Sequence, residues 1–205
     1  LFGSIDRHGR NYVLPWKRAQ QAAFLIRIWQ NIEEAIGRSD ASWVKACTIE
    51  KTQAELKIET ERHTAFVGQY SLLATDQGVR AVSVIFNALC QANYESLALD
   101  AWQSDTFAET TDDASVSEAL EELTGLGTIN AFLASVSCAL IDGFDWRTSS
   151  APGLTPEQRN AQAIYRGSSG YAALQRAVLE ALCSSQDIAV SEPAKGAEAL
   201  LGWLQ

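Results

Sequence analysis

The sequence contains few of the residues that most enzyme chemistry requires. Its 205 residues include no methionine, two histidines, four cysteines and four prolines. The two histidines, His8 and His63, limit acid–base and metal chemistry, because histidine is the usual base near neutral pH and a common metal ligand. No Ser/His/Asp set and no nucleophile elbow can be assembled from the remaining residues. We therefore expect no catalytic residue, no metal site and no cofactor, which favours a role other than catalysis.

Cysteine pairs and long apolar runs are also missing. Cys47, Cys90, Cys138 and Cys183 lie far apart without CxxC spacing, so buried free thiols are favoured over disulfides or a metal site. The strongly apolar stretches, such as residues 131–141, fall short of the ~20 residues needed to cross a bilayer. No signal-peptide pattern follows the N-terminus. These features predict a cytoplasmic protein without a membrane span, and the opening Leu1 with no methionine suggests a piece of a longer chain.

Charge is distributed unevenly along the chain. Residues 1–62 carry ten bases against eight acids, and residues 146–205 carry five of each. Residues 63–145, the acidic middle region, have one base, Arg80, against twelve acids, a net charge of −11. Such a field repels nucleic acid and attracts a basic protein surface. The alternative is a solvated face that only keeps the protein dispersed in water.

Apolar residues recur once per helical turn along most of the chain. Phe24, Ile28, Ile32 and Ile36 are four residues apart, and Gly37 follows as a stop signal. Convincing strand alternation is absent, so the sequence predicts an all-α fold, a compact bundle or array of about eight or nine helices. A single helical domain over residues 1–205 is expected. Two similar halves, divided near 103–114 or 143–155, are the alternative.

Capping residues predict where several helices begin. Thr75 or Asp76 is expected to cap a buried helix on which Val79, Val82 and Ile85 share the apolar face. The other predicted starts are Ser115 with Glu118 as a capping box, Thr128, Thr155 followed by Pro156 and Gln158, and Pro193.

One cluster near the N-terminus combines basic and aromatic side chains. Tyr12 and Trp16 interleave with the bases, so the cluster can contact phosphates while its aromatic rings stack on nucleobases. Docking on the acidic middle region, within the chain or in a neighbouring copy, is the alternative. The cluster consists of Arg7, His8, Arg10, Lys17 and Arg18.

A glycine- and serine-rich turn is the second candidate for an anion. Gly167, Ser168, Ser169 and Gly170 precede a predicted helix, whose first N–H groups can receive a phosphate. Arg166 beside them supports this interpretation, whereas the lysine pattern of a P-loop is missing. An ordinary serine cap is the alternative.

Two segments resemble a known bacterial family. Residues 72–89 (LLATDQGVRAVSVIFNAL) and 164–182 (IYRGSSGYAALQRAVLEAL) are similar to the helical tail that follows the signature domain of DGQHR-domain proteins. The resemblance implies an accessory region of a DNA-modification or phage-defence protein, serving assembly or substrate positioning. The signature Asp-Gly-Gln-His-Arg string is absent from this chain, so no functional residue is carried over from the family.

The sequence thus supports three hypotheses. The first is a non-catalytic helical interaction or assembly module that binds a protein partner or a second copy, suggested by the acidic middle region and the six tryptophans. The second is contact with nucleic acid through the N-terminal basic cluster. The third is an enzyme or small-ligand protein with a pocket between helices.

Overall fold

Helices account for almost all the regular structure among the described residues. The computed structural model describes residues 5–7, 10–12, 16–49, 63–102 and 112–202. Helices make up 72% of it, which confirms the all-α prediction. A short antiparallel hairpin, β1 (Ile5–Arg7) and β2 (Arg10–Tyr12), precedes them. The helices in the described ranges are α1 (Arg18–Arg38), α2 (Ser42–Ile49), α3 (Thr64–Val67), α4 (Asp76–Ala92), α5 (Asp113–Gly125), α6 (Gly127–Gly143), α7 (Pro156–Ala163), α8 (Gly170–Cys183) and α9 (Ile188–Leu201).

The helices pack in two interleaved groups. Helix α1 packs against α5 and α6, while α4 packs against α8 and α9. Helix α6 joins the groups because it also contacts α8 and α9. Each group therefore combines one helix from the first hundred residues with helices from the second hundred, and the buried apolar side chains form one continuous core.

Tryptophan side chains fix long-range contacts in this core. The indole N–H of Trp16 donates to the carbonyl of Leu99 (2.9 Å), and that of Trp43 donates to the carbonyl of Ile141 (2.8 Å). The indole of Trp146 is fully buried and donates to the carbonyl of Leu140 (2.9 Å). Each bond satisfies the one polar atom of a large apolar side chain, which makes its burial favourable.

Helices α5 and α6 meet at a 90° bend. The side-chain amide of Asn130 donates to the carbonyls of Leu123 (2.6 Å) and Leu126 (3.0 Å) at the bend, each of which also accepts a backbone N–H. The Asn130 oxygen accepts from Arg27 Nε of α1 (2.8 Å). One side chain thus holds the bend against α1.

An extended contact joins the segment before α4 to the segment after α6. The backbone N–H of Leu72 donates to the carbonyl of Trp146 (2.6 Å), and that of Thr148 donates to the carbonyl of Tyr70 (2.7 Å). Between these bonds lies Arg147, whose guanidinium pairs with Asp145 (2.6 Å). The loop around residues 143–155, predicted as a break, is therefore an ordered part of the core.

Some predicted helix starts are confirmed and others are wrong. Thr75 caps α4, and Thr155 with Gln158 forms the predicted capping box of α7. The Ser115 and Glu118 box is wrong, because Asp112 caps α5 by accepting from the Ser115 N–H (2.8 Å). The remaining two predictions, Thr128 and Pro193, also fail, since α6 begins at Gly127 and α9 begins at Ile188 behind the capping side chain of Asp187.

No described helix is, by itself, both long and apolar enough to cross a bilayer. The bent pair α5–α6 meets the criteria of length and composition only when its two helices are taken together.

Candidate functional site

The N-terminal basic cluster lies partly within the described residues. Arg7 and Arg10 are register partners across the β1–β2 hairpin, whereas His8 lies outside the described residues. Lys17 is the N-cap residue of α1, and its backbone N–H donates to the side chain of Gln20 (2.9 Å). Arg18 is exposed on the first turn of α1. Trp16 is buried, so the prediction that its ring stacks on nucleobases is wrong, and nucleic-acid contact by the bases of the cluster stays a prediction.

The glycine- and serine-rich turn occupies a different part of the fold. Arg166, Ser168 and Ser169 are exposed in the turn that leads into α8, which packs on α4, α6 and α9 and not on the α1 end of the bundle. The Ser169 side chain does not cap α8, so the interpretation as an ordinary serine cap is wrong. The Gly170 N–H is already used by a turn bond to the carbonyl of Gly167 (3.2 Å). The turn thus offers an anion one exposed base and two exposed hydroxyl groups, but the Gly170 N–H already has a partner within the turn.

Several acids of the acidic middle region serve structural contacts. Asp112 caps α5, Glu122 accepts from the Trp102 indole (3.3 Å), and Asp145 holds the buried Arg147. The hydrogen bonds that the Arg147 guanidinium donates to Asp145 raise the pKa of Arg147, so this guanidinium stays charged. At least three of the twelve acids of this region therefore make structural contacts, and its role as a binding face stays a prediction.

The tryptophans that suggested an interaction surface are mostly core residues. Trp16, Trp43, Trp102 and Trp146 are buried. Trp29 is the half-buried one among the described tryptophans, and it lies in a surface groove. That groove, called here the apolar groove, has a volume of about 560 Å³ and lies between α1, α3 and the start of α4.

One wall of the apolar groove is a face of α1. Leu25, Ile26 and Trp29 supply its apolar part, and Gln30 and Glu33 supply its polar part. These residues form a second stripe on the side of α1 away from its buried stripe. Ile26, for example, is two residues from the buried Ile28, and two residues turn about 200° around a helix. The sequence did carry a signal for this groove: α1 has apolar stripes on two sides, whereas a surface helix normally has a single apolar stripe.

The opposite wall is formed by α3 and by the segment entering α4. It consists of Phe66, Val67, Leu73, Ala74 and Val79, so it carries no charge. Phe66 packs edge-on against Trp29 with ring centroids 5.9 Å apart, which joins the two walls at the groove floor. Leu73 is buried beneath them.

Exposed aliphatic side chains are concentrated in this groove. Ile26 is 39% exposed, Val67 40% and Val79 43%. They account for three of the five large exposed hydrophobic side chains among the described residues; the others are Ile164 and Ile188. The prediction that Val79 lies on the buried face of α4 is therefore wrong. Its helical spacing is correct, but the side chain faces the groove between α4 and α1 and has no covering element.

Local hydrogen bonds hold the short helix α3 in place as a groove wall. The His63 Nδ1 accepts from the Ala65 N–H (3.1 Å) and caps its start. The Thr64 hydroxyl donates to the carbonyl of Cys47 at the end of α2 (2.8 Å), and the Ser71 hydroxyl donates to the carbonyl of Ala65 (2.6 Å). A four-residue helix has little stability of its own, so these bonds position Phe66 and Val67.

A polar cluster borders the groove at the start of α4. Asp76 pairs with Arg80 (3.2 Å) and accepts a hydrogen bond from the Tyr171 hydroxyl of α8. The Arg80 guanidinium also lies over the Tyr171 ring, 4.8 Å from its centroid. The Tyr171 hydrogen bond lowers the pKa of Asp76, and Arg80 lowers it further. These charges satisfy one another and contribute no free charge to the groove.

The four cysteines lie within the described residues and form no disulfide there. Burial raises the pKa of Cys90 to about 12 and that of Cys183 to about 11, so neither is a thiolate near neutral pH. Cys138 is exposed, but partial burial and the nearby Asp142 raise its pKa as well. Within the described residues, no group of three or more His, Cys, Asp or Glu side chains is placed to hold a metal ion.

Comparisons of the chain with protein-family models, curated proteins and solved structures found no match. The resemblance to the helical tail of DGQHR-domain proteins accordingly stays a prediction.

Proposed function

We propose that this chain is a protein-interaction module whose apolar groove binds an amphipathic helix of a partner protein. The observation that carries the proposal is the clustering of Ile26, Val67 and Val79, each about two-fifths exposed, around a half-buried Trp29. Contiguous exposed apolar surface on a folded protein is typical of an interaction site, whereas single exposed hydrophobic residues are ordinary.

A helix fits the groove better than a small molecule does. The exposed aliphatic residues come from three different elements, α1, α3 and α4, so the apolar surface extends along a groove and does not surround a closed pocket. Small-ligand sites usually enclose 70–90% or more of the ligand surface. An amphipathic helix needs only one apolar stripe buried, with anchors at i, i+3, i+4 and i+7, and leaves its other face in water.

Charge favours a partner with basic character. Glu33 is the charged residue that lines the groove, and the chain carries a net charge of −9. The apolar face of an incoming helix would supply the binding free energy, and basic residues on it would speed association with the acidic chain.

The test is binding of a fluorescein-labelled probe helix to the full chain, measured by fluorescence anisotropy. The probe is a peptide of about 15 residues, or ~22 Å of helix, with leucines on one face and glutamine and alanine elsewhere. A peptide of the same composition in scrambled order, which has no apolar face, is the reference. We expect saturable binding of the ordered peptide alone.

The variant Ile26→Asp places a charge in the groove and should abolish probe binding. Ile188→Asp is the matched control, because Ile188 is 75% exposed and lies outside the groove. Val79→Gln is a second groove variant in case Ile26→Asp loses its fold, which circular dichroism would reveal. Equal binding by the ordered and scrambled peptides, or full binding by both groove variants, would overturn the proposal. So would concentration-dependent self-association that Ile26→Asp removes, because the occupant would then be a second copy.

A further inference from the structure

The polarity of the apolar groove changes along α1. Ile26 and Trp29 lie toward the N-terminal end of the groove wall, and Gln30 and Glu33 toward the C-terminal end. Because an α-helix rises 1.5 Å per residue, Ile26 and Glu33 are about 10 Å apart along the axis. The opposite wall has no polar side chain to balance this change. The groove therefore has one apolar end and one acidic end.

The charge of Glu33 is not neutralised by the fold. Its neighbour Glu34 pairs with Arg38 (3.2 Å), and Asp76 beside the groove pairs with Arg80 (3.2 Å). Within the described ranges, Glu33 takes part in no ion pair. The residue as a whole is half-buried in the groove wall.

Space is open beyond this acidic end. Gly37 follows Glu33 by one turn, and a Cβ built on Gly37 meets no atom within 4 Å. A long basic side chain can therefore reach Glu33 from an occupant while its alkyl stem lies on apolar surface, as lysine and arginine stems commonly do.

From these observations we infer that Glu33 sets the direction in which the groove binds its partner helix. The partner carries a lysine or arginine at one end of its apolar stripe. Pairing of that cation with Glu33 selects one of the two opposite directions in which the helix can lie in the groove. This inference rests on the proposed function, since it concerns the same groove. An ion pair at the protein surface favours one orientation by about fivefold in affinity.

Two isomeric probe helices test the inference. Both have the leucine face of the neutral probe, but one has a single lysine at the N-terminal end of the leucine stripe and the other has it at the C-terminal end. Each isomer can bring its lysine to Glu33 by lying in the direction that suits it, so in anisotropy titrations both should bind the full chain about fivefold more tightly than the neutral probe. This gain should shrink as salt is raised, because the pair lies at the surface. A nitroxide spin label at the N-terminus of each isomer measures the direction: it should broaden the Ile26 methyl resonance more strongly when the lysine is at the C-terminal end, since the N-terminus then lies toward Ile26.

Variants of adjacent residues assign the preference to Glu33. Glu33→Gln should remove both the gain from the lysine, measured against the neutral probe on the same variant, and the difference in Ile26 broadening between the isomers. Glu34→Gln, the matched control, changes the neighbouring carboxylate that is outside the groove lining and should retain both. Equal Ile26 broadening by the two isomers on the unmodified chain, with both bound, would overturn the inference and leave the proposed function standing. A gain or a difference that persists in Glu33→Gln would also overturn it, and failure of all three probes to bind would overturn both.

Discussion

Replacing Gly78 with alanine should destabilise the protein strongly, because the start of α4 is packed directly on the backbone before it. A Cβ on Gly78 would lie 2.8 Å from the carbonyl carbon of Leu72 and 2.9 Å from the Cα of Leu73, and nearer still to the Leu72 oxygen. Backbone atoms cannot swing aside as the end of a side chain can, so α4 must shift. Overpacking of this kind costs about 1–3 kcal/mol.

The same shift would break the cap of α4. The Thr75 hydroxyl oxygen accepts from the Gly78 N–H (3.1 Å), and losing such a cap costs about 1 kcal/mol. Replacing a helical glycine with alanine returns about 0.5–1 kcal/mol, so the net cost of Gly78→Ala is about 2 kcal/mol. In a chain of this length, 1 kcal/mol corresponds to about 2–4 °C in Tm, so the Tm should fall by about 4–8 °C.

Gly37→Ala is the matched control. Gly37 is also a helical glycine, but a Cβ there meets open space. Removing glycine flexibility from a helix should stabilise the chain by about 0.5–1 kcal/mol. Thermal and urea unfolding followed by far-UV circular dichroism measures both variants. A Gly78→Ala protein as stable as the unmodified chain, or a Gly37→Ala protein as unstable as Gly78→Ala, would refute the reasoning.

Three further predictions follow from local contacts. Tyr171→Phe should raise the pKa of Asp76 toward its ordinary value, which a carboxyl NMR titration measures; an unchanged pKa would contradict the hydrogen bond. Below pH ~4, the variant should also lose the stabilising effect of the charged Asp76 at a higher pH than the unmodified chain does. Ellman's reagent should modify exposed Cys138 slowly in the native protein and Cys90 only after unfolding; rapid native labelling of Cys90 would disprove its burial. His63→Ala should cost about 1 kcal/mol in urea unfolding through loss of the α3 cap, while His63→Asn should retain most of it; equal losses would argue against the cap.

The sign of the Asp76 effect follows from its lowered pKa. A carboxyl group whose folded-state pKa lies below its unfolded value stabilises the fold above the unfolded pKa. That contribution is lost as the pH falls through the folded-state pKa. Tyr171→Phe moves the loss to higher pH because it removes the largest cause of the shift.

The sequence predicted the helices best where periodicity and a cap agreed. Helix α7 begins at Pro156 behind Thr155, as its capping box required, and α4 begins behind Thr75. The prediction was wrong at α5, where two residues able to cap a helix lie three positions apart. The Asp112 side chain accepts from the Ser115 N–H and caps the helix, so Ser115 lies inside the first turn. The sequence predicts a helix start at Pro193, yet α9 begins at Ile188 behind its N-cap residue Asp187 and continues through the proline.

The apolar groove could not be predicted from the sequence in the same way. Val79 has the helical spacing of a core residue, and only the distance that the fold leaves between α1 and α4 makes it exposed. Ile26 did carry a signal, since it lies opposite the buried Ile28 stripe of α1. The residues selected from their chemistry, such as Arg166, lie elsewhere. The exposure of a side chain depends on how the helices pack against one another, and the periodicity of a single segment carries no information about that packing.

Methyl NMR of the isoleucines provides the most direct test that the groove is where a partner helix binds. The full chain, labelled at isoleucine methyl groups, is titrated with the neutral leucine-faced peptide. We expect the Ile26 methyl resonance to shift in a saturable manner while those of Ile164 and Ile188, exposed but outside the groove, stay in place. Saturable shifts at Ile164 or Ile188 without any change at Ile26 would contradict the account.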